Sequence, residues 1–262
     1  MSTPAPAPIA AAAQLLLSVR RGAAPRLAAF PPALAPQTLA DAYAIQHEVL
    51  RELGTSIAGW KATLLDAASG LCAPLPAHSV LDAPAYLLPS RLPTRNNAQF
   101  GIEPEIAFRL GEDLPPLPGG GRYERAAVSA ALVSAHAVIE VVVSRFVDSE
   151  AVTQLERVAD NLMNELLIVG PSLPAWRALA LDDLALEVRI DDKPVFQGRG
   201  GHPLGDPLLP VVWLANHLHE HGRRLRAGEI VTTGSCAGVR QVQAEQSVSA
   251  YFAGLGTATV RF

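Results

Sequence analysis

Two glutamates, Glu103 and Glu105, lie two positions apart inside the apolar segment GIEPEIAFRL. Side chains of a β-strand alternate between its two faces, so a strand here would carry both carboxylates on one face and Ile102 and Ile106 on the other. Like charges share a face at little cost in water, but in a cleft they require a cation. The spacing is therefore consistent with the solvated face of a half-buried strand, the commoner arrangement, and with part of a cation site.

A third carboxylate, Glu140, interrupts the apolar run AVIEVVV. Apolar neighbours along the run imply burial on both faces, and a buried ionised carboxylate is costly unless it is paired or binds a metal. Arg145, His136 or a distant lysine could supply the pairing, which leaves the ion pair and the metal open as alternatives. Together with the first two glutamates it forms an all-oxygen set, which suits Mg²⁺ or Mn²⁺ better than zinc.

Lys61 stands alone among apolar residues in the segment SIAGWKATLL. Burial lowers the pKa of a lysine because the charged form loses its water, and a neutral amine could then act as a general base. Alternatively, the aliphatic stem packs against its neighbours while the ammonium reaches solvent. The residues by themselves leave both interpretations open.

Other polar motifs point less clearly to chemistry. His217 and His221 have the i, i+4 spacing that can chelate a metal on a helix, but no third ligand is evident beside them and a solvated helix end is favoured. The glycine-rich segments 119–121 and 198–207 lack the strand-to-helix pattern of a phosphate loop, so we expect turns. Ser235 in TTGSCAG has no nucleophile-elbow motif around it, which leaves a serine hydrolase unsupported.

The elements that must position these residues follow from the apolar patterns. Residues 1–9 are predicted to be a loose tail, and AAAQLLLSVRRG and TLADAYAIQHEVLRELG are predicted to be helices, the second ending at Gly54. From about residue 55 onward, short apolar runs broken by Pro and Gly indicate strands and turns, with helices over ERAAVSAALVSA and PLLPVVWLANHLHEHG. This pattern predicts a mixed α/β or α+β architecture in which residues 1–70 form a tail and helical layer and residues 71–262 form a β-rich core, as one continuous domain.

Bulk composition excludes several classes of function. The chain has 262 residues, 49% of them hydrophobic, and a net charge of −4, which argues against a nucleic-acid partner because binding to phosphates needs clustered Lys and Arg. Cys72 and Cys236 have no CxxC spacing, so we expect a reducing cytoplasm with neither a disulfide framework nor a zinc cluster. No apolar stretch approaches the ~20 residues of a spanning helix, and no basic residue precedes the first apolar run, so neither a membrane partner nor a signal peptide is expected.

Several segments match a known family in order along the chain. They are DAYAIQ (41–46), GWK (59–61), GIEPEIAFRLGEDLP, AVIEVVVSRF, VADN (158–161), GDPLLPVVWLANHL, LRAGEIVTTGS and the closing GLGTATVRF. Together they resemble the 2-keto-4-pentenoate hydratase and 4-oxalocrotonate decarboxylase branch of the fumarylacetoacetate hydrolase superfamily. The resemblance runs from the first helices to the last residue.

The resemblance implies roles for particular residues. It implies that Glu103, Glu105 and Glu140 bind a divalent ion, Mg²⁺ or Mn²⁺, and that Lys61 transfers protons. Asp82, in SVLDAP, corresponds loosely to an aspartate that is a second catalytic candidate in the family. The resemblance also implies a fold like the fumarylacetoacetate hydrolase C-terminal domain, mixed α/β and rich in strands, assembled as a homo-oligomer. In the matching segments VADN and TTGS, Asp160 and Ser235 are candidate substrate-binding residues.

The activity implied is that of a metal-dependent lyase. Its expected substrate is a small 2-keto or 2-hydroxydienoic acid from the catabolism of aromatic rings, which a hydratase converts to a 4-hydroxy-2-keto acid. A decarboxylase or a C–C hydrolase of the same superfamily is the alternative within enzymes, since all use one enolate-stabilising site. A noncatalytic keto-acid-binding homologue is the alternative from another class.

Two segments depart from the family pattern. Leu65 and Asp66 stand where the family has a polar pair after GWK, and Leu162, Met163, Asn164 and Glu165 follow VADN where it has small residues and a glycine. We expect these bulkier residues to reshape the substrate pocket.

Overall fold

The computed structural model describes residues 6–66, 68–87 and 100–262. The α-helices of this part of the chain are α1 (Ala7–Arg20), α2 (Leu39–Leu53), α3 (Arg125–Ala131), α4 (Gln154–Ala159) and α5 (Leu209–Glu220). Its first strands are β1 (Ile57–Leu64), β2 (Gly70–Pro76), β3 (Val80–Asp82), β4 (Ala85–Tyr86), β5 (Phe100–Leu110), β6 (Leu132–Val142) and β7 (Asn164–Val169). The remaining strands are β8 (Ala185–Ile190), β9 (Lys193–Arg199), β10 (Ile230–Ser235), β11 (Arg240–Val242), β12 (Ser247–Phe252) and β13 (Gly256–Arg261).

Two sheets build the β-rich part of the molecule. The larger has the strand order β2-β1-β10-β5-β6-β7-β3, with β11 also pairing with β5, and the smaller has the order β4-β13-β12-β8-β9. An apolar core that includes Phe108 and Ile139 from the larger sheet and Phe252 and Val260 from the smaller one joins them. The predicted mixed, β-rich α/β class with an N-terminal helical layer is confirmed.

Helix α2 has the boundaries that its sequence predicts. Thr38 accepts a hydrogen bond from the Asp41 amide while the Asp41 side chain accepts one from the Thr38 amide, so the N-terminus has a complete capping box. At the other end Gly54 adopts a left-handed conformation, with φ of 63°, which glycine does without steric cost. The prediction of a helix that ends at Gly54 is therefore confirmed.

The N-terminal helices pack against the part of the larger sheet that contains β2. Leu17 of α1 and Ile45 of α2 join Leu71 of β2 and Phe146 in a second apolar cluster. The helical layer ends with α2 at Leu53, because β1 already pairs with β2 and β10 inside the sheet. The predicted boundary at residue 70 falls at the first residue of β2, which pairs with β1. The larger sheet therefore joins the predicted regions 1–70 and 71–262.

Two predicted boundaries differ from the structure. Helix α1 begins at Ala7 inside the predicted tail, of which residues 1–5 lie outside the described part of the chain. The predicted helix over ERAAVSAALVSA ends earlier, at Ala131, and β6 begins at Leu132. The reason is tertiary: Leu132 pairs with Leu110 of β5, and this pairing outweighs the helical propensity of the alanine-rich segment. The predicted strand segment SVLDAPAYLL forms β3 and β4, and its last residue lies outside the described residues.

Strand β5 lies at the centre of the larger sheet although it contains a proline. It pairs with β6 along one side, and on the other side its partner changes from β10 near Glu105 to β11 at Ile102. Pro104 lies between these two positions, where the change of partner already interrupts the hydrogen-bonded ladder on that side. A residue without an amide hydrogen is therefore tolerated there. The strand therefore keeps its alternation, and both of its glutamates lie on one face.

Of the helices described above, none combines the length and the apolar character needed to cross a membrane.

Candidate metal centre

Three carboxylates converge on one face of the larger sheet. Glu103 of β5 lies directly opposite Glu140 of β6 in the antiparallel register, and Glu105 lies two residues further along β5. One carboxylate oxygen from each of the three lies within 4.8 Å of the others. Glu105 and Glu140 are fully buried, whereas Glu103 is partly exposed. The period-two alternation of strands, together with the β5–β6 register, thus builds the cluster.

Lys61 reaches the same cluster from β1. Its Nζ lies 3.0 Å from Oε2 of Glu140 and 3.4 Å from Oε2 of Glu103. The amine also donates a hydrogen bond of 3.1 Å to the carbonyl oxygen of Leu162. The side chain is buried and paired, so the alternative in which its ammonium reaches solvent is wrong. Among the described residues, the charged partner of Glu140 is the distant lysine and not Arg145 or His136.

The expected lowering of the Lys61 pKa is also wrong for this arrangement of protein groups. Burial does act to lower the pKa, but the negative charges of Glu140, Glu103 and Glu105 act against it and raise the pKa above its ordinary value. The sequence predicted burial but not the number of carboxylates around the amine. A cation bound by those carboxylates would offset the charges that hold the proton on Lys61.

The carboxylates themselves are electrostatically crowded. Burial, followed by repulsion from Glu140 and Glu103, raises the pKa of Glu105 to about 8. Burial also raises the pKa of Glu140, although Lys61 opposes this effect. Like charges in a buried site favour protonation unless a cation is present.

The residues present fit a divalent cation with oxygen ligands. Among the described residues no hydrogen bond of acceptable geometry reaches Oε1 of Glu105 or Oε2 of Glu140, although the latter oxygen is close to Lys61. Buried carboxylate oxygens without donors are costly, and they are the ligands that Mg²⁺ and Mn²⁺ take. A cation bound among the three glutamates would satisfy both oxygens.

Neighbouring groups that the sequence motifs did not identify hold two of the glutamates. Thr232 of β10 donates its hydroxyl, and Gly234 its amide at 2.9 Å, to Oε2 of Glu105. Asn164, the first residue of β7, donates its side-chain amide to Oε1 of Glu140 at 2.8 Å. TTGS was visible as a strand in the sequence, but its place between β1 and β5 depends on strand order, which no local pattern encodes.

The other candidate residues lie outside this cluster. Asp82 is exposed on β3, which is separated from β1 by four strands in the sheet order. The Asp160 carboxylate is buried against Arg145 and accepts hydrogen bonds from its side chain and its backbone amide. Ser235 lies opposite Glu105 on β10, and its hydroxyl donates to the Gly238 carbonyl at 3.1 Å. Their contacts with substrate stay predictions.

The histidine pair of α5 lies elsewhere. The His217 ring stacks on Trp213 at a centroid distance of 4.8 Å, and His221 is exposed at the end of the helix. Within the described residues the group of potential metal ligands that converges is the glutamate cluster, and neither histidine belongs to it.

The two segments that depart from the family pattern have different surroundings. Leu65 is 53% exposed and Asp66 caps the turn before β2, where its carboxylate accepts the amides of Ala68 and Ser69. The Leu162 side chain packs into the apolar cluster shared with the N-terminal helices. Leu65 and Asp66 therefore lie in a turn, and the Leu162 side chain lies in an apolar cluster.

The sequence of this chain matches a known protein family over the region that contains the glutamate cluster. The model of the fumarylacetoacetate (FAA) hydrolase C-terminal family matches residues 74–262, which is more than half of the chain. The chain belongs to the fumarylacetoacetate hydrolase family. The matched region includes all three glutamates of the cluster, whereas Lys61 precedes it.

Curated relatives in this family are named as hydratases. The 2-keto-4-pentenoate hydratase of Burkholderia vietnamiensis is 32% identical over 171 residues, which cover 65% of this chain and 63% of that protein. The 2-hydroxyhexa-2,4-dienoate hydratase of Comamonas testosteroni is 32% identical over 160 residues, 61% of this chain and 59% of that protein. In both cases the aligned region spans less than two thirds of the relative's own length.

Solved structures confirm the family fold. The 4-oxalocrotonate decarboxylase from Pseudomonas putida G7, complexed with magnesium and adipate, superimposes with a TM-score of 0.83 over 100% of both chains at 24% identity. Fumarylpyruvate hydrolase from Pseudomonas aeruginosa, in complex with Mn²⁺ and pyruvate, has a TM-score of 0.52 at 13% identity and covers 77% of this chain and 87% of its own. At these identities the likeness shows the fold, as the resemblance predicted.

Proposed function

We propose that this protein is a divalent-metal-dependent hydro-lyase. Its reaction would add water to a 2-hydroxy-2,4-dienoate of the 2-keto-4-pentenoate type and yield a 4-hydroxy-2-keto acid, as in the breakdown of aromatic rings. The observation that carries the proposal is the buried cluster of Glu103, Glu105 and Glu140 with Lys61 against it. Relatives named 2-keto-4-pentenoate hydratase and 2-hydroxyhexa-2,4-dienoate hydratase support this substrate class.

The three glutamates would hold Mg²⁺ or Mn²⁺, and solved family structures with magnesium or Mn²⁺ support that choice. When bound, such an ion stabilises the negative charge that develops on the C2 oxygen of a 2-keto acid. The hydrogen bonds from Thr232 and Asn164 keep Glu105 and Glu140 in place, so little reorganisation is needed.

Lys61 is the group that would move the proton. Hydration of a dienol requires that a proton leave the C2 hydroxyl and reach a carbon before water adds to the conjugated alkene. Lys61 is held by the Leu162 carbonyl and two carboxylates, so its amine has a fixed position beside the site. Asp82, Asp160 and Ser235 stay candidates for a second catalytic role and for substrate contacts.

The direct test follows the dienol absorbance of 2-hydroxypenta-2,4-dienoate during incubation with the protein and Mg²⁺ or Mn²⁺. We expect the absorbance to fall, the loss to stop when a chelator is added, and a 4-hydroxy-2-keto acid to accumulate. Identification of the product separates the related activities, since a decarboxylase releases CO₂ and a C–C hydrolase releases a second acid. Metal and ligand binding without any turnover would contradict the proposal and favour a noncatalytic keto-acid-binding protein.

A further inference from the structure

Asn164 is a fully buried amide with an unusual set of partners. Its Nδ2 donates to Oε1 of Glu140 at 2.8 Å. A Glu140 carboxylate that binds a cation is ionised and only accepts hydrogen bonds, so the amide nitrogen faces Glu140 and Oδ1 faces away from it. The orientation of this side chain is therefore determined by the chemistry of its partner.

Within the described part of the chain, the acceptor end of the Asn164 side chain is unused. Among the described residues, no donor reaches its Oδ1. Asn216 of α5 is similarly buried but satisfied at both ends, since its Oδ1 accepts from the Tyr123 amide and its Nδ2 donates to the carbonyls of Tyr123 and Val212. Buried amides with a purely structural role normally resemble Asn216. Asn164 differs because its hydrogen bond is directed at a carboxylate of the candidate metal centre.

The chain reaches Asn164 through a strained turn. Asn161, Leu162 and Met163 have φ values of 56°, 49° and 63°, so three consecutive residues other than glycine are left-handed. Such conformations persist only where the surrounding structure enforces them, and they concentrate at functional sites. Here the turn directs the Leu162 carbonyl to Lys61 and delivers Asn164 to Glu140. Two members of the site thus depend on one strained segment.

An ionic network of buried and partly buried side chains holds this turn on both sides. Arg145 pairs with Asp160 before the turn and with Glu165 after it, at 2.9 Å for the second pair. Arg20 of α1 donates to Glu165 and to the backbone carbonyl of Asn164, each at 3.0 Å. The N-terminal helical layer is therefore connected to the residue that contacts Glu140.

We propose that Asn164 is a positioning residue of the metal centre. Its amide orients the Glu140 carboxylate toward the cation, and the left-handed turn with its Arg145 and Arg20 contacts orients the amide. This inference rests on the proposed function only in that Glu140 is taken as a metal ligand. Groups that orient a ligating side chain typically change metal affinity by about 10- to 100-fold when they are removed.

The test measures Mn²⁺ binding by calorimetry on the substrate-free protein. Asn164→Ala and the volume-conserving Asn164→Leu both remove the donor, and we expect about 10- to 100-fold weaker binding in each. Using two variants means that the comparison survives if the alanine variant does not fold. Asn216→Ala is the matched control, because it removes an equally buried amide that holds the fold; we expect it to melt at a lower temperature and to bind Mn²⁺ as the wild type does.

The outcomes separate this inference from the proposed function. A wild-type protein that binds no Mn²⁺ would overturn both. Tight binding by the wild type together with equal binding by a folded Asn164→Leu variant would overturn the positioning role alone. Equal losses of affinity in the Asn164 variants and in Asn216→Ala would also overturn it, since general destabilisation would then account for the effect.

Discussion

At the residue scale, the charges of the site decide what it can bind. Glu103, Glu105 and Glu140 with Lys61 sum to −2 when all four are ionised, and a divalent cation neutralises that sum. Burial makes the balance matter, because unpaired charge in a poorly solvated site is costly. The burial and the crowding of carboxylates that raise the pKa of Glu105 are therefore the same features that favour a cation.

Glu140→Gln is expected to abolish Mg²⁺ or Mn²⁺ binding measured by calorimetry, and Glu103→Gln to do the same. Each replacement removes a negative charge and a ligand oxygen from the site while conserving side-chain volume. Glu187→Gln is the matched control, because Glu187 lies on β8 of the smaller sheet. Retained binding in the Glu140 and Glu103 variants would reject the carboxylate assignment.

Lys61→Met is expected to lower turnover of the dienoate by about 10²- to 10⁴-fold, the usual contribution of a proton-transferring group. Divalent-ion binding should be retained or tightened, since the variant removes a positive charge that lies 3.0 Å from Glu140. Lys193, the only other lysine of the chain, lies on β9 and provides the control Lys193→Met. Turnover at the wild-type rate in Lys61→Met would refute the proton-transfer role.

At the element scale, the parallel pairing of β1 with β10 brings Lys61 to the glutamates. Gly59 is aligned with Ile230 in that pairing, and a Cβ built on Gly59 would lie 2.1 Å from the Ile230 carbonyl oxygen. The two backbones approach this closely only because Gly59 has no side chain. Lys61, two residues further along β1, depends on the approach.

Gly59→Ala is therefore expected to force β1 away from β10. We expect a loss of about 1–3 kcal/mol in the free energy of unfolding, as is usual when a packed site is overfilled, and lower turnover from a displaced Lys61. Chemical denaturation and the absorbance assay measure the two effects. Gly54→Asn, at the C-terminus of α2, is the control, since its added Cβ would meet no atom within 4 Å and Asn tolerates the left-handed conformation.

At the scale of the whole molecule, the helical layer and the β-rich part are held together by polar as well as apolar contacts. Arg223, which follows α5, donates a 2.7 Å hydrogen bond to Nε2 of His47 on α2. Burial, followed by the charge of Arg223, lowers the pKa of His47 from 6.5 to about 4. The histidine is therefore neutral in the folded protein at pH values where the unfolded chain is protonated.

The sign of this shift predicts sensitivity to acid. The unfolded chain binds a proton at His47 below pH 6.5, whereas the folded chain binds one only below about pH 4. The contribution of His47 to the free energy of unfolding is therefore complete above pH 6.5 and is lost as the pH falls from 6.5 to about 4. We expect His47→Gln to reduce the drop in melting temperature between about pH 7.5 and about pH 5. An unchanged pH dependence would show that His47 keeps an ordinary pKa.

The predicted homo-oligomer stays a prediction, which sedimentation of the wild type would check.

The sequence determined what depends on neighbours along the chain. Strand alternation predicted that Glu103 and Glu105 share a face, and Gly54 predicted the C-terminal end of α2, because each pattern acts over a few residues. The burial of Glu140 followed from its apolar flanks in the same way. The order of matching segments was also sufficient to predict the family and its fold.

Only the tertiary structure decided which of these residues meet. Lys61 contacts Glu140 although β10 and β5 lie between β1 and β6, so the contact depends on long-range strand arrangement, which no local pattern records. For the same reason the sequence anticipated a lowered pKa at Lys61, whereas the surrounding carboxylates raise it. Asn164 stood out in the sequence only as a departure from a family pattern, and its contact with Glu140 became visible once the strained turn and the β6–β7 pairing brought the two together.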